Sequence, residues 1–442
     1  MAHLHAAILL ACVYAVAGNT PVIDLGYAKY QGVVDTTLNL TSFRGIRYAA
    51  PPTGKLRWQA PTLPSVVGGI QQAYTDPVQC FQGNLGGAVT NPLATRDDDP
   101  LQPEDCLFLS VYSPILNPTV PLPTLVWIHG GGYVVGSASQ YSGGDLVQES
   151  NNEIVVIVIQ YRLGLFGFLA GEQIKEDGAL NAGLLDQEFA LRWISKNVLT
   201  IWGQSAGGGS VLQHTSPPLF RAAMTSSSFL PAQYPYNWED SAVIAQAGCK
   251  GAAALDCLRT IDSASLQDIN LNVTAAGFQG TLGNLNGEIL LSVTNLNEGF
   301  IFVNQTEDYD VAEYVQNLFP LLGVEEVNAV KSLYRSFGSP VAQVTAILGE
   351  SVFTCSTYLL INAFAGNSYK SFHGSDVVNY FPSFTAFDEP IIFNNTGFIN
   401  AFTRGFLSFA LRPSITPLWQ KWSPAAETEI VFWKHVHNLT GH

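Results

Sequence analysis

The middle of the chain alternates between short apolar runs and longer stretches with helical periodicity. The apolar runs lie at residues 124–128, 154–160, 198–202 and 289–293. Uninterrupted runs of this length, rich in β-branched residues, predict strands that are buried on both faces. The pattern over residues 181–196 predicts a helix, and a second helix is predicted to begin at Ala206. Strands and helices are therefore expected to alternate.

Strands buried on both faces need a covering layer on each side. Helices on both faces of a central, mostly parallel sheet provide it, which predicts the α/β class. The sequence contains no repeat, low-complexity tract or charged linker that would mark a boundary. We therefore expect residues 18–442 to form a single domain.

The composition indicates a folded chain and argues against two classes of binding partner. Of 442 residues, 47% are hydrophobic and only 12% are charged, so disorder is excluded. The net charge is −15, and the 20 basic residues form no run that could neutralise a row of phosphates. Nucleic acid and anionic membrane surfaces are therefore not expected as partners.

The N-terminus resembles a targeting segment. Residues 6–16 are apolar, and Ala15-Val16-Ala17 fits the small-x-small pattern before a cleavage site. Residues 1–17 are therefore predicted to be a signal peptide of a secreted, extracellular protein without a stable membrane anchor. Two histidines stand where lysine or arginine is usual, and a buried N-terminal strand is the alternative.

Glycosylation motifs and cysteines agree with an oxidising compartment. Asn-x-Ser/Thr sequons occur at Asn39, Asn272, Asn304, Asn394 and Asn438. The cysteines after the signal segment show no CxxC motif or Cys/His cluster, so a metal site is not expected. No cofactor is implied either. Pairing in chain order would join Cys80 to Cys106 and Cys249 to Cys257. Cys355 would then remain a free, buried thiol.

The strongest chemical motif is Gly-Gln-Ser-Ala-Gly at residues 203–207, directly between a predicted strand and a predicted helix. This G-x-S-x-G context predicts a sharp turn that exposes Ser205 as a nucleophile, with the backbone N–H of Ala206 as a donor to an oxyanion. The alternative is a serine that only caps the helix.

A second motif, His-Gly-Gly-Gly, follows the strand at residues 124–128. Its backbone can turn N–H groups toward one point, and Gly131 and Gly132 are the predicted donors that complete an oxyanion hole. A phosphate-binding loop is the rival. It is disfavoured because the sequence has no G-x-G-x-x-G, no Lys-Ser/Thr after the glycines and no basic partner.

A serine nucleophile needs a general base, and elimination among the eight histidines leaves His373. Two others lie in the signal segment and one in the glycine loop. A fourth lies about 13 Å along the helix after the serine, and three lie in the C-terminal tail. The excluded residues are His3, His5, His129, His214, His435, His437 and His442.

In this fold class the three residues of a catalytic triad follow the chain order nucleophile, acid, histidine. The acid should therefore lie between Ser205 and His373. Glu298 fits best because it follows the strand predicted at residues 289–293 by a short loop. Glu350, Asp308 and Asp310 are weaker candidates, expected to be solvated charges of helices or loops.

Several motifs together resemble the type-B carboxylesterases, the branch of the α/β-hydrolases that includes fungal lipases and cholinesterases. They lie at residues 43–57, 104–111, 129–132, 161–168, 183–187 and 203–207. The resemblance implies an α/β-hydrolase fold and a serine carboxylic ester hydrolase that works through an acyl-enzyme with Ser205, His373 and Glu298. It also implies the Cys80–Cys106 disulfide and a structural pair of Glu104 with Arg57.

The chain departs from the family pattern near residues 197, 282 and 371, where it looks shortened. At the first place, helix and strand would be joined by about one residue. A catalytically inactive binding module, or a truncated splice form, is therefore the alternative. If active, the chain should take a small-molecule or lipid ester. The polar, glycine-rich segment between Cys80 and Cys106 favours short acyl chains.

Overall fold

The structure is a computed structural model that describes most of the chain. The described residues are 20–84, 103–116, 118–194, 199–214, 219–231, 240–276, 290–295, 297–357, 368–370, 376–384, 396–411 and 429–430. Within them the strands are β1 (Val22–Asp24), β2 (Lys29–Gln31), β3 (Val33–Asp35), β4 (Leu40–Arg47), β5 (Ile70–Gln72), β6 (Phe108–Ser113), β7 (Thr124–Ile128), β8 (Val155–Ile159), β9 (Leu199–Gln204), β10 (Ala222–Ser226), β11 (Leu290–Thr294), β12 (Ser368–Lys370) and β13 (Glu429–Ile430).

Helices cover the sheet between and after these strands. They are α1 (Gly143–Glu149), α2 (Gly164–Phe168), α3 (Glu172–Asp177), α4 (Ala182–Ile194), α5 (Ala206–Gln213), α6 (Asp240–Gln246), α7 (Ala254–Thr260), α8 (Ser263–Ala276), α9 (Val311–Leu318), α10 (Val324–Leu333), α11 (Pro340–Gly349), α12 (Val377–Tyr380) and α13 (Thr396–Leu411). A π-helical segment, Glu350–Thr354, continues α11.

Ten of the described strands form one twisted sheet in the order β13-β12-β11-β10-β9-β7-β8-β6-β4-β3. Every pair from β13 to β8 is parallel, whereas β8, β6, β4 and β3 pair antiparallel. A separate small sheet has the order β1-β2-β5. The prediction of a mostly parallel central sheet with helices is confirmed.

The core lies on both faces of the central sheet, as the uninterrupted apolar runs require. Along β7, Leu125 and Trp127 contribute to one apolar cluster, whereas Val126 and Ile128 contribute to the cluster on the opposite face. All four side chains are fully buried. This alternation follows from the two-residue period of a strand.

The predicted central elements match the structure with small shifts at their ends. The helix predicted over residues 181–196 is α4, described from Ala182 to Ile194, and the strand β9 is described from Leu199. Residues 195–198 between them lie outside the described residues, so the expectation of about one linking residue stays a prediction. The other two apparent shortenings, near residues 282 and 371, lie outside the described residues.

Two disulfides, Cys80–Cys106 and Cys249–Cys257, are present. Cys355 is free, but it is exposed, so the expectation of a buried thiol is wrong. Cys355 directly follows the π-helical segment. Which face of a helix meets solvent depends on how the helix packs, and the position of one cysteine in the sequence does not reveal it. By loop length, the first disulfide is expected to stabilise the fold by about 3.5 kcal/mol and the second by about 2.5 kcal/mol.

Three of the five sequons are among the described residues. Asn39 and Asn272 are exposed and Asn304 is half-buried, while Asn394 and Asn438 lie outside the described part. The segment predicted as a signal peptide also lies outside it. Across the described ranges, no helix is both long and apolar enough to cross a membrane.

Candidate active site

Ser205 occupies the sharp turn between β9 and α5. Its backbone has φ 55° and ψ −122°, a conformation that costs free energy for a residue with a side chain. The turn is fixed by its neighbours, because the Ser205 N–H donates to the Ser226 carbonyl (2.9 Å) and its carbonyl accepts from the Gly209 N–H (2.9 Å). The predicted position of the serine between strand and helix is confirmed.

The glycines on either side are required by close backbone approach. A Cβ on Gly203 would lie 2.1 Å from the Gly207 carbonyl oxygen, and one on Gly207 would lie 2.0 Å from that of Ile128. No real Cβ sits so close to a backbone oxygen. The G-x-S-x-G pattern therefore reflects packing of the elbow against itself and against β7.

The glycine loop packs directly on the serine. A Cβ on Gly130 would lie 2.9 Å from the Ser205 Cβ. Gly131, Gly132 and Tyr133 all have positive φ, at 102°, 62° and 62°, so the loop coils tightly after β7.

Hydrogen bonds to two carbonyls set the direction of the two predicted oxyanion donors. The Gly130 carbonyl accepts from His129 Nδ1 (2.8 Å), and the Gly131 carbonyl accepts from the N–H groups of Val134 and Val135 (both 2.9 Å). In a trans peptide the N–H points opposite to the carbonyl. Fixing these carbonyls therefore fixes the N–H directions of Gly131 and Gly132.

Glu298 lies beyond the end of β11, two strands from Ser205. Neighbouring strands are about 4.8 Å apart, so roughly 10 Å of sheet separates the two strand ends. The carboxylate is buried and accepts from the Asn295 N–H (2.5 Å) and from Thr294 Oγ1 (3.1 Å). Asn295 in turn donates to Ser227 Oγ at the end of β10.

His373 lies outside the described residues, so its predicted role remains a prediction. The chain is described again from Asp376, whose side chain is buried. Burial raises the pKa of the Asp376 carboxyl, and the nearby Glu298 charge acts in the same direction. Asp376 follows the histidine by three residues in the chain.

The weaker acid candidates have other surroundings. Asp310 caps α9 by accepting from two backbone N–H groups, and Glu350 accepts from the Tyr334 hydroxyl (2.6 Å). Asp308 is exposed. His214 is buried at the end of α5, where Nε2 donates to Gln187 Oε1 (2.9 Å).

Two buried ion pairs hold the scaffold around the site. Arg57 binds both carboxylate oxygens of Glu104 (2.5 and 2.6 Å), as the resemblance implies. Arg162 binds both oxygens of Asp186 (both 2.7 Å), a pair that the sequence reasoning did not single out. The sequence did contain a signal for this pair, because Arg162 and Asp186 both lie within apolar stretches. Charged side chains in such stretches are buried only when they are paired.

Buried histidines make stability depend on pH. Burial lowers the pKa of His129 to about 4 and that of His214 to about 4, from a usual value of 6.5. The unfolded chain therefore binds more protons between these values, and stability falls as the pH drops from 6.5 toward 4. We expect each histidine to remove about 2 kcal/mol between pH 6.5 and pH 4.5.

Urea unfolding at pH 6.5 and pH 4.5 measures this loss, with His214→Gln as the matched variant. The variant should lose about 2 kcal/mol less than the unaltered chain over the same interval. An identical loss in both proteins would mean that His214 does not contribute.

The fold and the strained serine elbow define the class of protein as an α/β-hydrolase. Aspergillus niger EstA has a solved structure that matches 93% of this chain and 94% of its own, with 26% identity and a TM-score of 0.79. The solved structure of a PNB esterase matches with a TM-score of 0.75 at 23% identity. At this identity the similarity shows only that the two proteins share a fold.

The chain belongs to the carboxylesterase family, whose family model matches residues 19–327. Among curated relatives, mouse carboxylesterase 1E is 38% identical over 52% of this chain and 45% of its own length. Carboxylesterase patB of Aspergillus clavatus is 31% identical over 61% of this chain and 59% of its own. The matched part thus spans about half the length of these relatives.

Proposed function

We propose that the chain is a secreted serine carboxylic ester hydrolase with Ser205, His373 and Glu298 as its triad. The single observation that carries the proposal is the strained Ser205 with the glycine loop packed against it. A nucleophile that lies beside oriented backbone N–H groups suits acyl transfer. Family membership supports the same reaction class.

In the acylation step, His373 accepts the Ser205 hydroxyl proton as the oxygen attacks the ester carbonyl. The N–H groups of Gly131, Gly132 and Ala206 then hold the negative oxygen of the tetrahedral intermediate. His373 returns the proton to the alcohol oxygen, the C–O bond breaks and the alcohol leaves. The serine then carries the acyl group as an ester.

In the deacylation step, water attacks the serine ester while His373 accepts one of its protons. Collapse of the second tetrahedral intermediate releases the carboxylic acid and returns the proton to Ser205. Glu298 orients the imidazole and stabilises its positive charge.

The described neighbours support His373 as the base. Lys370 ends β12 in register with Thr294, four residues before Glu298. His373 follows Lys370 by three residues, a length of chain that spans at most about 11 Å, so this register supports a base close to the acid. The buried Asp376 limits the chain from the other side.

The remaining features complete the proposal. Residues 18–442 form one domain, the protein is secreted after removal of residues 1–17, and glycans attach at the sequons. Of the three sequons that can be compared, Asn39 and Asn272 are the more exposed.

The substrate is a small ester with a short acyl chain, because the segment between Cys80 and Cys106 is polar and rich in glycine.

Covalent labelling tests the proposal. A fluorophosphonate should add to Ser205 of the folded protein in one-to-one stoichiometry, seen by intact mass and by peptide mapping. Ser205→Ala with an unchanged unfolding curve should not be labelled. If the unaltered protein is folded but stays unlabelled, the catalytic proposal is wrong, and the inactive binding module becomes the better account.

A further inference from the structure

We propose that Gln82 is a positioning residue for the oxyanion loop, a role that rests on the proposed function. It lies two residues after Cys80 in sequence and is buried. Its side-chain amide fixes Gly136, the last glycine of the loop formed by residues 129–136. Through Gly136 it controls the peptide that aims the Gly131 N–H.

The oxygen and the nitrogen of the Gln82 side-chain amide both bind the same residue, Gly136. Its Oε1 accepts from the Gly136 N–H (2.6 Å), and its Nε2 donates to the Gly136 carbonyl (3.1 Å). The same Nε2 also donates to the Cys80 carbonyl (2.8 Å). A donor and an acceptor in one planar group fix both position and orientation of the glycine.

Gly136 passes this constraint to the donors. It has φ 108°, and a Cβ there would lie 2.5 Å from His129 Nδ1 and 2.6 Å from the Gly130 carbonyl oxygen. Gly136 thus packs against the very hydrogen bond that sets the direction of the Gly131 N–H. A shift of Gly136 would leave space beside that bond, and the Gly130 carbonyl could rotate.

Other contacts hold the backbone around Gln82 in place. The Cys80–Cys106 disulfide fixes the chain before it, and the Gly83 N–H donates to the Val134 carbonyl (2.7 Å). The Gln82 carbonyl accepts from two side chains of α8, those of Gln267 (2.7 Å) and Asn270 (3.2 Å). The glutamine therefore connects a disulfide-bonded segment and a helix to the loop.

The expected effect is on the transition state. Oxyanion donors act by lying in place before the negative charge develops, and errors of about 0.5 Å weaken them. The ground-state ester carbonyl depends much less on these donors. Loss of the Gln82 amide should therefore lower kcat while KM changes little.

The test is Gln82→Met, which keeps the side-chain volume and removes the hydrogen bonds. We expect kcat for p-nitrophenyl butyrate to fall about 10- to 100-fold, with KM within about twofold. Inhibition by a trifluoromethyl ketone, which forms a tetrahedral adduct with the serine, should weaken by a similar factor.

Gln160→Met is the matched control. Gln160 is fully buried, its Nε2 donates to the Val78 (2.7 Å) and Cys106 (2.8 Å) carbonyls, and its Oε1 accepts from the Ala138 N–H (3.4 Å), two residues after the loop. It lies outside the glycine loop, so it should lose comparable thermal stability but less than about threefold in kcat. Equal kcat losses in the two variants, or a loss confined to KM, would overturn the positioning role.

Hydrogen exchange separates this inference from the proposed function. Peptides that cover residues 130–136 should exchange faster in Gln82→Met than in Gln160→Met, whether or not the protein hydrolyses esters. Absence of hydrolysis in the unaltered protein would defeat the proposed function, and unchanged exchange would defeat the role of Gln82. If Gln82→Met does not fold, Gln82→Asn, whose amide is one methylene short of Gly136, takes its place with the same expected directions.

Discussion

Replacing Ser205 with alanine is expected to lower kcat/KM for p-nitrophenyl butyrate by about 10⁴-fold or to the uncatalysed rate. The reason is that no acyl-enzyme can form without the hydroxyl. His373→Ala should cost about as much, because a serine with no base is a poor nucleophile at neutral pH. The double variant should be no slower than either single variant, since the two residues act as a unit.

Initial rates measured on samples with matching circular dichroism and unfolding curves provide the check. His435→Ala is the control, because this tail histidine was excluded as the base, and it should retain full activity. Strong loss in His435→Ala with activity retained in His373→Ala would assign the base to the tail instead. Such a result would leave the serine but correct the triad.

Replacing Gly207 with alanine is expected to remove most or all of the folding stability, more than about 4 kcal/mol. The added Cβ would lie 2.0 Å from the Ile128 carbonyl oxygen and 2.8 Å from that of His129. Both are backbone atoms at the end of a buried central strand, so no side-chain movement can relieve the clash. The elbow, the sheet and the glycine loop would all have to shift.

Soluble yield and urea unfolding measure this effect. Gly68→Ala is the matched control, because no heavy atom lies within 4 Å of its added Cβ and its φ is ordinary for an L-residue. It should change stability by less than about 0.5 kcal/mol. A soluble Gly207→Ala protein with an unchanged midpoint would mean that the elbow does not pack against β7 as described.

The central sheet was predictable because its strands are short, buried and uniformly apolar. The strand at residues 124–128 matches Thr124–Ile128 without any shift, and β8 begins and ends within one residue of its prediction. Such runs have few stable alternatives, since an apolar strand needs cover on both faces. Helix ends were less certain, and the helix predicted over residues 181–196 is described only from Ala182 to Ile194.

The serine was predictable for a different reason. A glycine two residues before it and two residues after it are needed wherever a strand turns sharply into a helix. The close approaches at Gly203 and Gly207 give that requirement a direct steric cause. The acid was harder, since Glu298 and Glu350 both follow ordered elements, and the sequence does not show that the first carboxylate is buried beyond the end of β11.

The contacts that aim the glycine loop were not predictable from sequence order. Gln82 lies 54 positions before Gly136, yet their polar groups meet at 2.6 and 3.1 Å. Arg162 meets Asp186 across 24 positions, and each is buried only because the other is present. A local pattern cannot report such pairs, because hydrogen-bond geometry depends on how distant segments pack.

The sequence by itself determined the class of fold, the order of its central strands and helices, the serine and the glycines beside it. These follow from local physics, namely side-chain period, burial of apolar runs and the freedom of glycine at positive φ. Only the tertiary structure decided that Cys355 is exposed, that Glu298 is buried beyond the end of β11 and that Gln82 binds Gly136. Those outcomes depend on contacts between segments far apart in the chain, and such contacts exist only once the sheet has assembled.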